Sequence, residues 1–340
     1  MQSANLDELK KDSRSLELNT LSLWISKLGI FIVVGIFLIV GPLVSAKFYT
    51  LANLTTILQT VAILGIVAVG VAFVTYSGHY ADLSVPSVMA FAGIITVATL
   101  HYGIAISLLL GILAGLSIGI INGFVVGVYK ANPIIWTLAV EYVLNGLMRW
   151  IWGANQIYPD LHGNNGRAAS SFVNLARQYV GPIPLVFILL FCAVIIGQLI
   201  LSKTRFGRRL KVVGSSAEVA KFSGINVPLT IGIAFLISAF AASIGGIFLT
   251  SLVKLGVYSN GTGYDFNAVT AVVVGGVSLA GGRGNIVGVL GGTLLLGILV
   301  NVLNLIGVSQ LYQTIVEGVI FIIVVGVNQK SLRKLGRDDA

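Results

Sequence analysis

The sequence predicts an all-α integral membrane protein with about ten transmembrane helices and both termini cytoplasmic. Three observations carry this. Hydrophobic residues make up 56% of the 340 residues and charged residues only 10%. The apolar runs are as long as a bilayer is thick, about 20 residues each. The cations, which give a net charge of +9, crowd into a few segments that fall on one side of the alternating spans.

Taken in chain order, ten apolar segments run over residues 28–46, 51–77, 83–100, 104–128, 133–152, 183–202, 229–252, 266–281, 285–306 and 308–327. The third and eighth are the shortest, and their boundaries are the hardest to draw. With the N-terminus inside, the cytoplasmic side receives Lys10, Lys11, Arg14, Lys130, Arg283, Lys330, Arg333, Lys334, Arg337 and the basic loop 203–228. The outer side keeps Lys47, Arg167, Arg177 and Lys254. This asymmetry sets the orientation. It divides the chain into a cytoplasmic tail 1–22, a membrane domain 23–328 with one sizeable external loop at 153–182, and a cytoplasmic tail 329–340. The polar start is too long for a signal-peptide n-region, so no cleavage is expected. The charge belongs to loops facing anionic lipid and not to a nucleic-acid surface.

Glycines indicate how the spans pack. Gly111, Gly115, Gly119, Gly123 and Gly127 recur every four residues, and Gly284, Gly288 and Gly292 repeat the device later. That spacing keeps them on one helix face, where a second backbone can come close. Asn122 stands beside the first stripe, placed either to hydrogen-bond across the seam or to point into a cavity.

Polar residues inside apolar segments are few. Glu141 and Asn145 share a face of the fifth segment at i and i+4, as do Asn301 and Asn304 in the ninth. An ionised group at mid-bilayer costs on the order of 3 kcal/mol, so such residues either hydrogen-bond between helices or line a path. Amides with few charges suit a neutral, hydroxyl-rich solute. Asp82 lies in SGHYADLSVPS at 77–87, which reads as a broken helix or turn, with Asp82 capping the next helix as the plainer alternative.

The segment Leu201–Pro228 is the one long basic interruption. Ser215 three residues before Glu218 resembles a capping box, and Gly224 offers a left-handed stop, which frames a helix of about two turns. Ala217, Ala220 and Phe222 give it an apolar side that suits docking on a soluble partner. The alternative is a solvated positive-inside loop.

Three stretches carry a resemblance: GIVAVGVAFVTYSGHYADLSVPSVMAF at 65–91, TRFGRRLKVVGSSAEVAKFSGI at 204–225 and GYDFNAVTAVVVGGVSLAGGRGNIVGVLGGTLL at 263–295. In this order they resemble the membrane subunits of bacterial monosaccharide ABC importers, the ribose, arabinose, xylose and galactose permease family. The resemblance implies a multi-pass permease of the bacterial inner membrane that imports a sugar, paired with a second permease copy, identical or different. It implies cytoplasmic ATPase subunits that carry ATP and Mg, a solute-binding protein outside, and no cofactor or metal in this chain. On these motifs Ser215, Glu218, Phe222, Gly224 and Ile225 match the family's coupling segment, and Asp82, Leu83, Ser84 and Val85 its Asp-Leu-Ser-Val turn. Asp82, Ser84, Asn122, Glu141, Asn145, Asn301 and Asn304 become candidates for the solute pathway or its gate. The chain departs from the family at Gly78-His79-Tyr80-Ala81, at Pro86, at Asp265 and Asn267, and at Asn145.

Other classes fit less well. An ion-coupled transporter usually places several acids or histidines in its spans, and here only Glu141 and Glu317 qualify. His79, His101 and His162 show no metal-ligand spacing, so an enzyme is not expected. No phosphate-binding G-x-x-x-x-G-K-[ST] run occurs, and LAGGRG at 279–284 reads as a tight glycine turn. Cys192 is alone and forms no intrachain disulfide. Among ABC permeases, an autoinducer, a polyol or a nucleoside remains an alternative cargo.

Overall fold

A computed structural model describes residues 30–153, 155–162 and 166–335. The expected tail 1–22 and residues 336–340 lie outside these. Among the described residues each of the ten apolar segments holds a helix. These are α1 (Ile30–Val44), α2 (Leu51–Tyr76), α3 (Val85–Ala98), α4 (Ile104–Val128), α5 (Pro133–Trp152), α7 (Leu185–Lys203), α10 (Val227–Val253), α11 (Tyr264–Val274), α12 (Ile286–Leu305) and α13 (Gln310–Leu335). Five of them, α2, α4, α7, α10 and α12, are long and apolar enough to cross a membrane.

The loops hold more structure than expected. The segment between α5 and α7 contains α6 (Gly166–Leu175) and a two-stranded hairpin, β1 (Tyr179–Val180) with β2 (Ile183–Pro184), turned at Gly181 with φ +62°. It is tied down by long-range bonds: the Ser251 hydroxyl donates to the Phe172 carbonyl at 2.6 Å, and the Gln59 amide to the Ala176 carbonyl at 3.0 Å. The basic segment contains α8 (Arg205–Ser215) before the expected short helix, α9 (Ala217–Phe222). Thr204 caps α8 by accepting from Gly207 N–H at 3.1 Å, and Leu210 and Val213 bury one face while the cations stay outside.

Three expectations are corrected. The cap of α9 is Ser216, not Ser215: Ser216 is extended (φ −164°, ψ 115°) and its hydroxyl accepts from Val219 N–H, while Ser215 completes α8. The reciprocal bond of a capping box is absent, because Glu218 is then the second helical residue rather than the third. The eighth segment is helical only over Tyr264–Val274, since Gly276 (φ +86°), Gly281 (φ +83°) and Gly282 (φ +70°) form the tight glycine turn beyond it. Gly284 is not on the packing face of α12: it precedes the helix at φ +128°, and a Cβ there would lie 2.6 Å from the Cα of Val277.

The helices repeat. Long, short, long, long describes α2 to α5 and again α10 to α13. Neighbours repeat too: α2 packs on α11 and α12 as α10 packs on α3 and α4, α3 packs on α5 as α11 packs on α13, and α2 and α10 pack on each other. The end of α2 lies against α8, whereas α10 begins just after α9, so the two units run in opposite directions. This is an inverted repeat, and its two short helices, ~21 Å and ~16 Å at 1.5 Å per residue, fall short of a hydrocarbon core of about 30 Å.

Glycines make the close contacts. A Cβ on Gly123 would lie 2.7 Å from the Cα of Gly232, and one on Gly127 2.7 Å from the Pro228 carbonyl oxygen, so α4 and α10 meet backbone to backbone. Gly119 faces Ala239 and Gly115 faces Ser243 along the same seam, while Gly111 meets α3 at Thr96 and Ala92. Gly288 and Gly292 similarly admit the carbonyls of Gly275 and Ala271, closing α12 on α11. Gly123→Leu should therefore lower thermal stability in detergent by at least about 2 kcal/mol. Gly35→Leu, where nothing lies within 4 Å, should leave it unchanged.

Candidate functional site

The two short helices meet at their N-terminal ends. A Cβ on Gly261, three residues before α11, would lie 2.7 Å from the carbonyl oxygen of Pro86 in the first turn of α3. Two positive dipole ends therefore converge inside the protein, at matching points of the two repeats. Pro86 starts α3 where its missing N–H costs nothing, and Gly263 (φ +87°) starts α11.

The turn 77–84 that leads into α3 is held by a buried hydrogen-bond network. Asp82 is 2% exposed and does not cap α3. Its Oδ1 accepts from Ser84 N–H at 3.1 Å and Ser84 Oγ at 2.6 Å, and its Oδ2 from Ser238 Oγ at 3.1 Å. Asn122 donates to Ser84 Oγ at 2.8 Å and accepts from Trp136 Nε1 at 3.0 Å. Leu83 N–H donates to Thr137 Oγ1 at 2.9 Å. Asp82, Ser84 and Asn122 are thus brought together, by partners on α5 and α10 that sequence reasoning missed. Nothing in the spacing of Ser238 signals its role.

Thr137 begins a polar line on α5 that continues every four residues through Glu141, Asn145 and Arg149. Its full length could have been seen in the sequence. Glu141 and Asn145 are half-buried, and the Asn145 amide bonds the Glu141 carbonyl at 3.1 Å. Arg149 lies 4.1 Å over the Tyr258 ring. Glu141 is within electrostatic reach of Asp265 and Asp82, and Glu317 of α13 faces the Asn267 side chain of α11. Acids from α5, α11 and α13 therefore flank the converging helix ends. Among the described residues no group of three His, Cys, Asp or Glu side chains could hold a metal ion.

Asn301 and Asn304 lie elsewhere, at the end of the bundle away from α8. Asn301 and Asn53 exchange amide bonds at 3.0 and 2.8 Å, and Gln313 donates to Asn304 at 2.7 Å. Both tie α12 to a neighbour.

On the opposite end α9 projects its apolar residues outward: Phe222 is 91% exposed, while Ala220 anchors the helix. Gly224 at φ +72° stops it, and Ile225 N–H returns to the Ala220 carbonyl at 3.0 Å, a left-handed cap. Beside α9 opens a cleft of ≈ 800 Å³ lined by His79, Lys130, Asn132, Glu218, Lys221 and Ile225, among others. Burial pushes the His79 imidazole below its ordinary pKa, opposed by its hydrogen bond to the Ser77 carbonyl.

Residues 53–325 match the family described as the permease component of the branched-chain amino acid transport system. The chain belongs to this permease family. The permease is 35% identical to the ribose import permease protein RbsC of Bacillus subtilis (strain 168), covering 90% of this chain and 94% of that one. It is 34% identical to the L-arabinose transport system permease protein AraH of Escherichia coli (strain K12), over 88% and 89%. It is 33% identical to the probable ABC transporter permease protein YphD of the same strain, over 91% of each. No solved structure matches it. The matched residues take in both short helices, the turn 77–84, α8 and α9.

The paired amides of the permease give a clean double-mutant test. Asn301→Leu leaves the Asn53 side chain short of a partner and should cost about 1–2 kcal/mol of thermal stability. Adding Asn53→Leu should restore part of that loss if the pair serves packing, and solute uptake should follow the stability.

Proposed function

We infer that this permease is the transmembrane subunit of an ATP-driven importer that carries a monosaccharide into the cytoplasm by alternating access. The observation that carries this reading is the likeness to a ribose and an arabinose permease over 90% and 88% of this chain. The geometry supports it. A line of hydroxyl, carboxylate and amide groups on α5 beside two converging helix N-termini offers acceptors and donors to a hydroxyl-rich solute. In this reading Glu141 and Asn145 face the solute, together with Asp265, Asn267 and Glu317. Asp82, Ser84 and Asn122 act behind them as the gate's frame. Asn301 and Asn304 remain candidates at the outer end.

The assembly consists of two permease copies in the bacterial inner membrane, two cytoplasmic ATPase subunits that hold ATP and Mg, and an external solute-binding protein. Exposed Phe222 and Val219 on α9, next to the cleft at Glu218 and Lys221, form the ATPase contact. Burying one large aromatic contributes on the order of 2 kcal/mol. ATPase closure would then move α8 and α9 and with them the spans behind. Both termini and 203–228 are cytoplasmic and 153–182 is external.

Orientation is checked by labelling. In a Cys192→Ser background, Ser170→Cys should react with an impermeant maleimide from outside and Ser223→Cys only from inside; the reverse pattern rejects the orientation. Docking is checked by co-purification. Phe222→Ala should insert normally yet retain several-fold less ATPase, and Gly224→Val should do the same because a β-branched residue resists positive φ. Full ATPase retention and full uptake in both variants would remove the coupling role of α9.

A further inference from the structure

The turn 77–84 touches both ends of the proposed machine. On the side of α8 glycine backbones make close contacts. Gly214 packs on the Tyr76 carbonyl, and Gly282 N–H donates to that same oxygen at 2.9 Å. A Cβ on Gly281 would sit 2.6 Å from the Gly214 carbonyl oxygen and 2.7 Å from the Cα of Gly78. Three chain segments therefore meet at Gly78, Gly214 and Gly281 with no side chain between them to absorb a displacement. Gly214 lies two residues before the cap of α9.

On the other side the turn is bonded to α5 twice. Leu83 N–H reaches Thr137 directly, and Ser84 reaches Trp136 through Asn122. The second route has a fixed polarity. The Trp136 indole only donates, so Asn122 must turn its oxygen to Trp136 and its NH₂ to Ser84, and Ser84 must pass its own proton to Asp82. Every donor points the same way, toward a carboxylate that Ser238 of α10 also grips. Such a chain has one arrangement, and each bond strengthens the next.

We propose that the turn 77–84 is the transmission link between α8–α9 and the solute-facing helix α5, with Asn122 and Trp136 as positioning residues that hold α5 to it. This rests on the docking of an ATPase at α9. A displacement of α8 pushes Gly78 through rigid backbone contact, the turn carries it over four residues to Asp82, and the bonds at Leu83 and Ser84 deliver it to the foot of the Thr137, Glu141, Asn145 line. None of these residues needs to touch the solute.

The test uses the complete transporter, with its ATPase and binding protein, reconstituted in vesicles. In a Cys192→Ser, Gly146→Cys background, the maleimide labelling rate of the exposed α5 position is read with and without ATP plus vanadate. The parent should show a nucleotide-dependent change in rate. Asn122→Ala, and Trp136→Phe as the milder variant that removes a single hydrogen bond, should shrink that change at least about fivefold. ATP hydrolysis and ATPase co-purification should persist. Combining the two variants should add little, because both cut one route. A full nucleotide-dependent change in both variants, no change in the parent, or loss of ATPase along with the labelling change overturns the link. Failure of the docking reading is distinct: the parent permease itself would not retain the ATPase.

Discussion

In a layer without water every backbone N–H and C=O must be bonded inside the protein, and the whole architecture follows from that demand. A continuous helix meets it automatically. The two interruptions, before α3 and before α11, do not, and side chains replace the missing ladder. Thr75 donates to the Tyr80 carbonyl at 2.9 Å, Thr137 accepts from Leu83 N–H, Asp82 accepts from Ser84 N–H, and Asn260 donates to the Leu255 carbonyl at 2.7 Å. These polar residues thus serve the broken backbone first.

The inverted repeat turns two such breaks into one site. Because α2 and α10 run oppositely and pack on each other, the short helices that follow them point their N-termini at a common region. Without glycine the approach would fail: side chains at Gly123, Gly127, Gly288 or Gly292 would hold α4 off α10 and α12 off α11. The basic segment breaks the symmetry, since α8 and α9 are inserted only before the second unit. A partner acting there pushes on the end of α2 and on the glycine turn before α12, one loop from each repeat.

The same residue types carry different duties according to where packing puts them. Asn122 is buried in a chain of hydrogen bonds, Asn301 is paired with another amide, and Asn145 stands beside a half-buried carboxylate. All three stand within apolar segments.

The membrane solvent, the ten apolar segments, the glycine seam of α4, the stop at Gly224 and the family resemblance were legible in the sequence. Each depends on local composition, on a period of about four residues, or on one residue's freedom at positive φ. The helix α8, the cap at Ser216, the true end of α11 and the elements α6, β1 and β2 required the tertiary structure, because burial of Leu210 against the bundle and long-range bonds such as that from Ser251 to Phe172 are not written in local sequence. So did the network from Trp136 to Asp82 and Ser238. Its members stand up to 156 residues apart, and no periodicity links residues whose only relation is that two oppositely running helices and a broken turn place them within hydrogen-bonding distance.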